Sequence, residues 1–413
     1  MKICLVIDCY GIPKNGTTSS ARRFASELRK MGNEVRIIGV DAKAPDEKIE
    51  DEDFFPVRRF KFPVFQPLIE KDGFCFADGD YQTMTEVIKW ADVVHLYLPF
   101  PFEIRARRIA EALNKPITAA FHLQPDSVTY GIHLSHWKFL NWALYKGFYR
   151  YMYRYVSHIH CPSQMIADVL RRKHYDNCTH IEVISNGVID YFHPIETVKP
   201  AEFQNRFIVL TVGRIAGEKK QDIIIKAIGL SKYNSRIQLI ISGEGPNEKK
   251  IRKLASKKLI NQPLIRFNDK EHLREIINYS DLYVHASEAE IEGIACTEAF
   301  SCGLVPVISD SKLSATNGFA LDSRCLFRCN DPRDLAAKID YFIEHPEEKS
   351  DLSKKYVEFA KKFTLSEEVA KFNGFLEDAV REHQEGRDAY QTHRFSKEKR
   401  KVRRVEKSIR KFI

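Results

Sequence analysis

Residues 287–303 read SEAEIEGIACTEAFSCG, and they place Glu290 and Glu298 on either side of a glycine-containing turn, with Glu292 between them. The preceding DLYVHAS has the length and apolar content of a short buried strand, and CTEAFSCG opens like a helix. A strand handing over to a helix there sets Gly293, Ile294 and Ala295 at a helix N-terminus. Unpaired N–H groups and the helix dipole make such an end an anion site. Glu298 then projects about one turn into that helix, toward the same mouth. The segment suits a ligand that is an anion and also offers hydroxyls to carboxylates.

A second cluster lies in TVGRIAGEKK, where Arg214 and Lys219 flank a short turn after the strand FIVLTV. Two cations there would neutralise a pyrophosphate. A solvated surface turn accounts for the same residues when they are taken alone. SGEGP closes the next strand and the acidic turn closes a later one, so all three segments open on one sheet edge.

The elements that must position these residues alternate along the chain. KICLVID, EVRIIGV, ADVVHLYLP, PITAAFHL, HIHCPS and HIEVISNG read as strands between helical segments such as SARRFASELRKMG and QMIADVLRRKHY. A second series starts at FIVLTVGR and runs through IQLIISGEGP, LIRFND, LYVHAS and VPVISD. Strands with apolar residues on both faces, alternating with helices, predict parallel sheets in α/β domains. The polar, proline-containing DYFHPIETVKPAEFQN separates the series as a linker. The fold class expected is α/β, with two doubly wound domains facing each other across a cleft. Ligands of such sheets bind outside the carboxyl ends of the strands.

Composition agrees. A chain of 413 residues, 44% hydrophobic and 29% charged, matches a globular protein of two or three domains. No run reaches the ~18 apolar residues of a membrane span. ICLVI before Asp8 is too short for a secretory leader and reads as the first buried strand. The nine cysteines are odd in number and scattered, which fits reduced thiols in the cytosol. Cys325 and Cys329 have no second Cys/His pair nearby to complete a zinc site. Residues 394–413 hold +8 of the chain's +9 charge, so the body is nearly neutral and the overall basicity does not argue for nucleic acid.

With these segments placed, the chain resembles the retaining nucleotide-sugar glycosyltransferases of the GT-B fold, family four. The resemblance rests on Glu290-IEGIACT-Glu298 followed by AFSCGLVPVI, on Gly213-Arg214 through Lys219, and on Asn186-Gly187-Val188, and it spans residues 1–375. It implies an N-terminal acceptor-side Rossmann-like domain (1–188), a C-terminal nucleotide-sugar-binding Rossmann-like domain (189–375), and a C-terminal helix with a basic tail (376–413). It also implies that Arg214 and Lys219 hold the donor diphosphate and Glu298 the ribose hydroxyls. Glu290 would lie under the sugar ring, with Gly293, Ile294 and Ala295 offering N–H groups to donor oxygens. Cations and helix-end dipoles would then stabilise the leaving diphosphate, with no metal or other cofactor required. Asp78-Gly79-Asp80 imitates an Asp-x-Asp metal motif but lies far from the donor segments.

Three positions depart from the family pattern: Glu292 where an aromatic or apolar residue is usual, His285 where proline is common, and FND at 267–269 in place of a glycine-containing turn. Within the family the likeness is strongest to enzymes that glucosylate or galactosylate membrane diacylglycerol. They carry a loop similar to KNGTTSS, in which Gly16 would let backbone approach the donor phosphates. His122, ending PITAAFHL, takes the position of a family histidine near the reacting centre.

Two stretches bear on the acceptor. Residues 137–156 carry nine aromatics, four Lys/Arg and no acid, with Lys146, Arg150 and Arg154 at helical spacing. They suit an anionic membrane surface, or equally an aromatic helix packed on its own sheet, and YRYMYRYV also alternates with period two. FFPVRRFKFPVF at 54–65 is a second basic-aromatic loop. In the tail, Val402, Val405, Ile409 and Phe412 form an apolar stripe on a basic helix, which reads as a membrane anchor removable without harm to the fold, or as a disordered solubilising tail.

The leading expectation is therefore transfer of a hexose, from UDP-glucose or UDP-galactose, to a lipid such as diacylglycerol or ceramide. The enzyme would be cytoplasmic and peripheral on the inner face of the cytoplasmic membrane. Alternatives are extension of a lipid-linked polysaccharide, a sugar-nucleotide epimerase, and a nucleic-acid-binding protein using the tail. No RNA- or DNA-binding motif accompanies that tail, so nucleic acid is not an expected partner.

Overall fold

The computed structural model describes residues 1–11, 16–41, 53–61, 75–126, 129, 137–177, 179–387 and 396–413. It divides the chain into two α/β units, the first comprising Met1–Thr129, Ser135–Asn186 and Leu365–Ile413, the second centred on Gly187–Thr364. Part of KNGTTSS, the end of FFPVRRFKFPVF, Cys178 and the start of the tail lie outside the described residues.

The first unit is built on β1 (Lys2–Ile7), β2 (Glu34–Val40), β3 (Phe54–Phe60), β4 (Phe76–Asp78), β5 (Val93–Leu96), β6 (Ile117–Ala120), β7 (His158–Cys161) and β8 (His180–Val183). Their order is β4-β3-β2-β1-β5-β6-β7-β8, with β4 antiparallel to β3 and the other pairings parallel. β1 pairs with β2 on one side (Ile3 opposite Val35) and with β5 on the other (Ile3 opposite Val93). The strand order reverses at β1, so its carboxyl end is a switch point of the kind where ligands of doubly wound sheets bind.

The second unit repeats the plan with β9 (Phe207–Val212), β10 (Ile237–Ser242), β11 (Leu264–Arg266), β12 (Leu282–His285), β14 (Pro306–Ser309) and β16 (Leu326–Phe327), ordered β11-β10-β9-β12-β14-β16. Ile208, Val209, Leu210, Ile240, Ile241 and Val284 are buried in its core, as strands covered on both faces require. A separate two-stranded pair, β13 (Ala289–Glu290) and β15 (Leu313–Ser314), sits beside this sheet.

The boundary expected at residue 375 falls differently. Helix Leu365–Gln384 belongs to the first unit because its apolar stripe of Val369, Phe372, Phe375 and Leu376 is buried there. Phe372 and Phe375 meet the buried rings of His95, His158 and His160 edge-on or tilted, at 4.9–6.4 Å between centroids.

The tail also departs from expectation. Residues Ser396–Ile409 form a helix packed on helices Pro101–Ala112 and Tyr81–Trp90. Val405 and Ile409, half of the stripe expected to face a membrane, are buried in that contact. The fully buried Arg107 ion-pairs with both Glu111 and Glu398, and its guanidinium lies 4.1 Å from the Tyr155 ring centroid. Arg108 Nε adds a 2.8 Å bond to Glu398. Burial would raise the Glu398 carboxyl, but the two guanidiniums outweigh it and hold it down at about 2. The tail helix is therefore a structural part of the first unit, and only its outer face remains basic. Residues Lys399, Arg400, Lys401, Arg403, Arg404, Lys407, Arg410 and Lys411 are exposed there.

Removing the tail should accordingly harm the fold. Glu398→Ala leaves two guanidiniums short of a carboxylate and should cost roughly 3 kcal/mol, the scale for breaking a buried pair. Deleting 396–413 should cost more, since the Val405 and Ile409 contacts go as well. Thermal melts that match wild type for both variants would show that the helix adds nothing.

Candidate functional site

In the second unit the residues singled out from sequence converge at the carboxyl ends of β9, β10 and β12. The turn after β9 starts at Gly213, whose φ of +140° lies in the region that favours glycine. Gly213 donates to Ser242 at 3.0 Å and Ile215 donates to Glu244 at 2.8 Å, so this turn lies directly on the turn after β10. A Cβ on Gly243 would strike the Gly213 backbone. The glycines of VGR and SGEG thus allow two loops to touch along their backbones.

Each cation of this edge is held by a carboxylate. Arg214 Nη2 bonds Glu218 Oε1 at 2.8 Å, Lys220 Nζ bonds Glu288 Oε2 at 2.8 Å, and Lys219 Nζ bonds Glu290 Oε2. Lys219 and Glu290 come from segments 71 residues apart, and the bond brings the predicted diphosphate cation onto the predicted sugar carboxylate. His285, at the end of β12, places Nε2 3.7 Å from the same Glu290 oxygen. Burial would raise the Glu290 carboxyl, but the Lys219 ammonium and His285 overcome it and hold it down at about 2. Burial lowers His285 from its usual range and outweighs the pull of Glu290, so its ring is neutral at neutral pH.

Gly293 caps helix Ile294–Ser301 with φ +97°, and no side chain caps that end. Cys296 and Thr297 donate the first bonds, both to the Gly293 carbonyl, which leaves the amides of Gly293, Ile294 and Ala295 ahead of the helical ladder. A Cβ at Gly293 would collide with the Thr316 side chain, so both sterics and φ demand glycine. The acidic turn is framed by the β13–β15 pair, in which Glu290 lies opposite Ser314. Ser311 Oγ donates to the Glu288 carbonyl at 2.6 Å, and Ser314 and Thr316 hydroxyls meet at 2.8 Å. Glu292 and Glu298 are buried. The arrangement offers cations, helix-end amides and carboxylates at one edge of the second unit's sheet, which suits a ligand both anionic and hydroxylated.

Gly16 and His122 belong to the first unit. Gly16 starts helix Gly16–Lys30, and a Cβ there would meet nothing within 4 Å, so no contact among the described residues requires glycine. His122 follows β6, is buried, stacks on Tyr97 at 5.6 Å and meets the His160 ring in a T-shaped contact at 5.2 Å. Its Nε2 has no hydrogen-bond partner among the described residues. Burial, then His160, lowers its pKa well below the usual range, so it is a neutral imidazole. Asp78 and Asp80 have structural work: Asp78 bonds Arg105 at 3.0 Å and Asp80 caps helix Tyr81–Trp90 through the Thr83 amide.

The aromatic stretch divides between both readings given for it. Helix Lys138–Tyr151 ends at Met152, and a short turn at Tyr153–Tyr155 follows. Tyr145, Tyr153 and Tyr155 are buried, with the Tyr145 hydroxyl on Asp126 at 3.1 Å. Trp137, Phe139 and Trp142 are exposed by 63%, 74% and 50%, beside exposed Lys138, Lys146 and Arg150. Arg154 turns inward, against the Tyr149 and Tyr155 rings.

Sequence reasoning missed Glu218 and Glu288, the carboxylates that hold Arg214 and Lys220. A lysine-rich turn joined to an acidic one was the available signal. It also missed the β13–β15 pair, because two-residue strands leave no periodicity to read.

Comparison with known proteins accords with this geometry. The profile described as Glycosyltransferase Family 4 matches residues 14–190, and the one described as Glycosyl transferases group 1 matches residues 194–363. An alpha-monoglucosyldiacylglycerol synthase of Streptococcus pneumoniae is 23% identical over 75% of this chain and 71% of its own. A GDP-mannose-dependent alpha-mannosyltransferase of Corynebacterium glutamicum is 26% identical over 78% of this chain and 77% of its own. Among solved structures, Anabaena HepE in complex with UDP and glucose superposes with a TM-score of 0.67, 17% identity, and coverage of 91% of this chain and 99% of its own. That superposition shows a shared fold.

The buried histidines make the first unit acid-labile. His158 and His160 are lowered to about 4, chiefly by burial. The unfolded chain binds protons near 6.5, so their contribution is complete above that pH and falls on acidification until about 4. Across that window each ring is protonated in the unfolded chain and neutral in the folded one, and stability drops by ~1.4 kcal/mol per ring for each pH unit. Melting temperature should drop between pH 6.5 and 4, and His158→Gln should flatten the drop. A pH-independent Tm across that window contradicts the assignment.

Proposed function

The chain belongs to the group 1, family 4 glycosyltransferases of the GT-B fold, and on that premise we propose that it moves a hexose from a nucleotide sugar to a membrane lipid. The observation that carries the donor half is the meeting of Arg214, Lys219, Glu290 and the amides ahead of helix Ile294–Ser301 on one edge of the second unit. The cations and amides receive the diphosphate, whose charge grows as its bond to the anomeric carbon breaks. Glu290 and Glu298 accept from sugar and ribose hydroxyls. The acceptor hydroxyl forms the new glycosidic bond, and its proton leaves with the nucleoside diphosphate. With that charge met by side chains and amides, no metal is required.

Support for a lipid acceptor comes from the exposed Trp137, Phe139 and Trp142 among Lys138, Lys146 and Arg150, an amphipathic and basic surface suited to an anionic leaflet. The outer face of helix Ser396–Ile409 adds basic charge, and Lys401 lies 5.8 Å from the Tyr151 ring, joining the two surfaces. No helix among the described residues is long and apolar enough to cross a membrane. We read the enzyme as peripheral on the cytoplasmic face, taking UDP-glucose or UDP-galactose to diacylglycerol or ceramide.

Transfer assays with UDP- and GDP-sugars against diacylglycerol, ceramide and sterol vesicles, read by mass spectrometry, test the reading. Turnover should persist in EDTA. Lys219→Ala and Glu298→Ala should each weaken donor binding by roughly 1.5–3 kcal/mol, the worth of a charge-assisted hydrogen bond. Unaltered affinity in both variants would remove the donor assignment.

Phe139→Ala combined with Trp142→Ala should lower co-sedimentation with anionic vesicles while leaving UDP binding intact. Added salt should weaken what remains, because the residual attraction is electrostatic. Equal sedimentation of double variant and wild type would move the membrane contact elsewhere.

A further inference from the structure

We propose that His285 is a positioning residue that takes hold of Glu290 when a donor diphosphate draws on Lys219, an inference that rests on the donor reading above. Glu290 Oε2 is held by the Lys219 ammonium. A diphosphate arriving at the same ammonium brings negative charge to the one cation that bonds Glu290. The carboxylate then loses compensation and gains a like-charged neighbour, and both favour its protonation or displacement. A second donor on the same oxygen prevents that.

His285 has the geometry for it. Its side chain is buried at the end of β12, and Nε2 has no hydrogen-bond partner among the described residues. Nε2 lies 3.7 Å from Glu290 Oε2, so a hydrogen bond needs a shift of about 0.7–1 Å. The other ring nitrogen faces a phenol. Nδ1 is 3.2 Å from the Tyr283 hydroxyl. Tyr283 is fully buried, and burial raises its pKa well above the usual range, so the phenol keeps the proton it can donate to Nδ1. In the tautomer that accepts it, the ring proton sits on Nε2, on the Glu290 side. The ionisable groups around this pair are Lys219 from the turn after β9, Glu290 after β12, Tyr283 on the same strand, and Cys296 and Glu298 from helix Ile294–Ser301. None of the others is a cation that can replace Lys219. A neutral imidazole donor also suits the task because it does not compete for the diphosphate.

The test separates the diphosphate from the sugar. Calorimetry with UDP and with UDP-glucose, and pH profiles of kcat, are compared for wild type, His285→Ala, His285→Gln and Tyr283→Phe. UDP should bind several-fold more weakly to His285→Ala than to wild type, since Glu290 there gives up Lys219 with no second donor, while His285→Gln should stay within twofold. His285→Ala should lose at least tenfold in kcat, and the acid limb of its profile should move up by one pH unit or more as Glu290 becomes easier to protonate. Glutamine, whose amide N–H reaches the same oxygen, should recover most of both, and Tyr283→Phe should shift the acid limb by a smaller amount. Wild-type kcat and acid limb in His285→Ala overturn the proposal, as does equal loss in the alanine and glutamine variants with an unmoved limb. If His285→Ala does not fold, the acid limbs of the glutamine and phenylalanine variants decide in the same way. UDP affinity unchanged by Lys219→Ala would instead overturn the donor reading, whatever the His285 variants do.

Discussion

Pairing of charge that burial would otherwise penalise governs how this protein is assembled. The bond between Lys219 and Glu290 joins the turn after β9 to the segment after β12, and the Lys220–Glu288 and Arg214–Glu218 pairs reinforce the same seam. Backbone contacts run with them, since Glu288 donates its amide to the Glu218 carbonyl at 2.8 Å. These side chains are partly sheltered from water without being locked in a core, so pairing offsets their lost hydration. Within these three pairs the charges balance, and the cations remain able to exchange partners. Under the donor reading proposed above, a diphosphate would replace one anion by another at these cations.

The first unit solves a related problem without charge. His95, His122, His158 and His160 lie along neighbouring strands or just beyond them, and burial lowers all four. The rings pack as neutral aromatics against Phe372 and Phe375. His95 Nδ1 meets Thr118 Oγ1 at 2.8 Å and His160 Nε2 meets the Ile184 carbonyl at 2.7 Å, which satisfies one nitrogen of each ring. His122 stands at the edge of this group with Nε2 unspent. The histidine core and His122 are thus one packing arrangement, and the helix that covers the core, Leu365–Gln384, returns from the far end of the chain.

Local pattern carried the sheets and the motif spacings. Apolar strands between helices are written in consecutive residues, so both doubly wound sheets and the cluster of Arg214, Lys219, Glu290 and Glu298 were legible. Gly293 was legible as a helix start, although the Thr316 side chain beneath it was not. What escaped depends on pairs distant in sequence. Glu398 finds Arg107 across 291 residues, and Phe372 finds His95 on a strand of the other end of the chain. Periodicity shows that a helix has an apolar stripe but says nothing about which surface receives it.

The tail shows why that distinction matters for function. Val402, Val405, Ile409 and Phe412 recur at steps that suit burial in a membrane interface or in a protein groove equally well. The deciding residue is Glu398, an acid on the strongly basic helix. Its carboxylate is turned toward Arg107 and Arg108, the one place where a basic helix packed on its own protein needs an anion. A helix designed only to lie on anionic lipid gains nothing from that acid. With Val405 and Ile409 spent on helices Pro101–Ala112 and Tyr81–Trp90, the outer face offers charge without an apolar wedge. Under the membrane reading proposed above, insertion into a leaflet falls to the exposed aromatics of helix Lys138–Tyr151, and the tail helix is left with attraction at longer range.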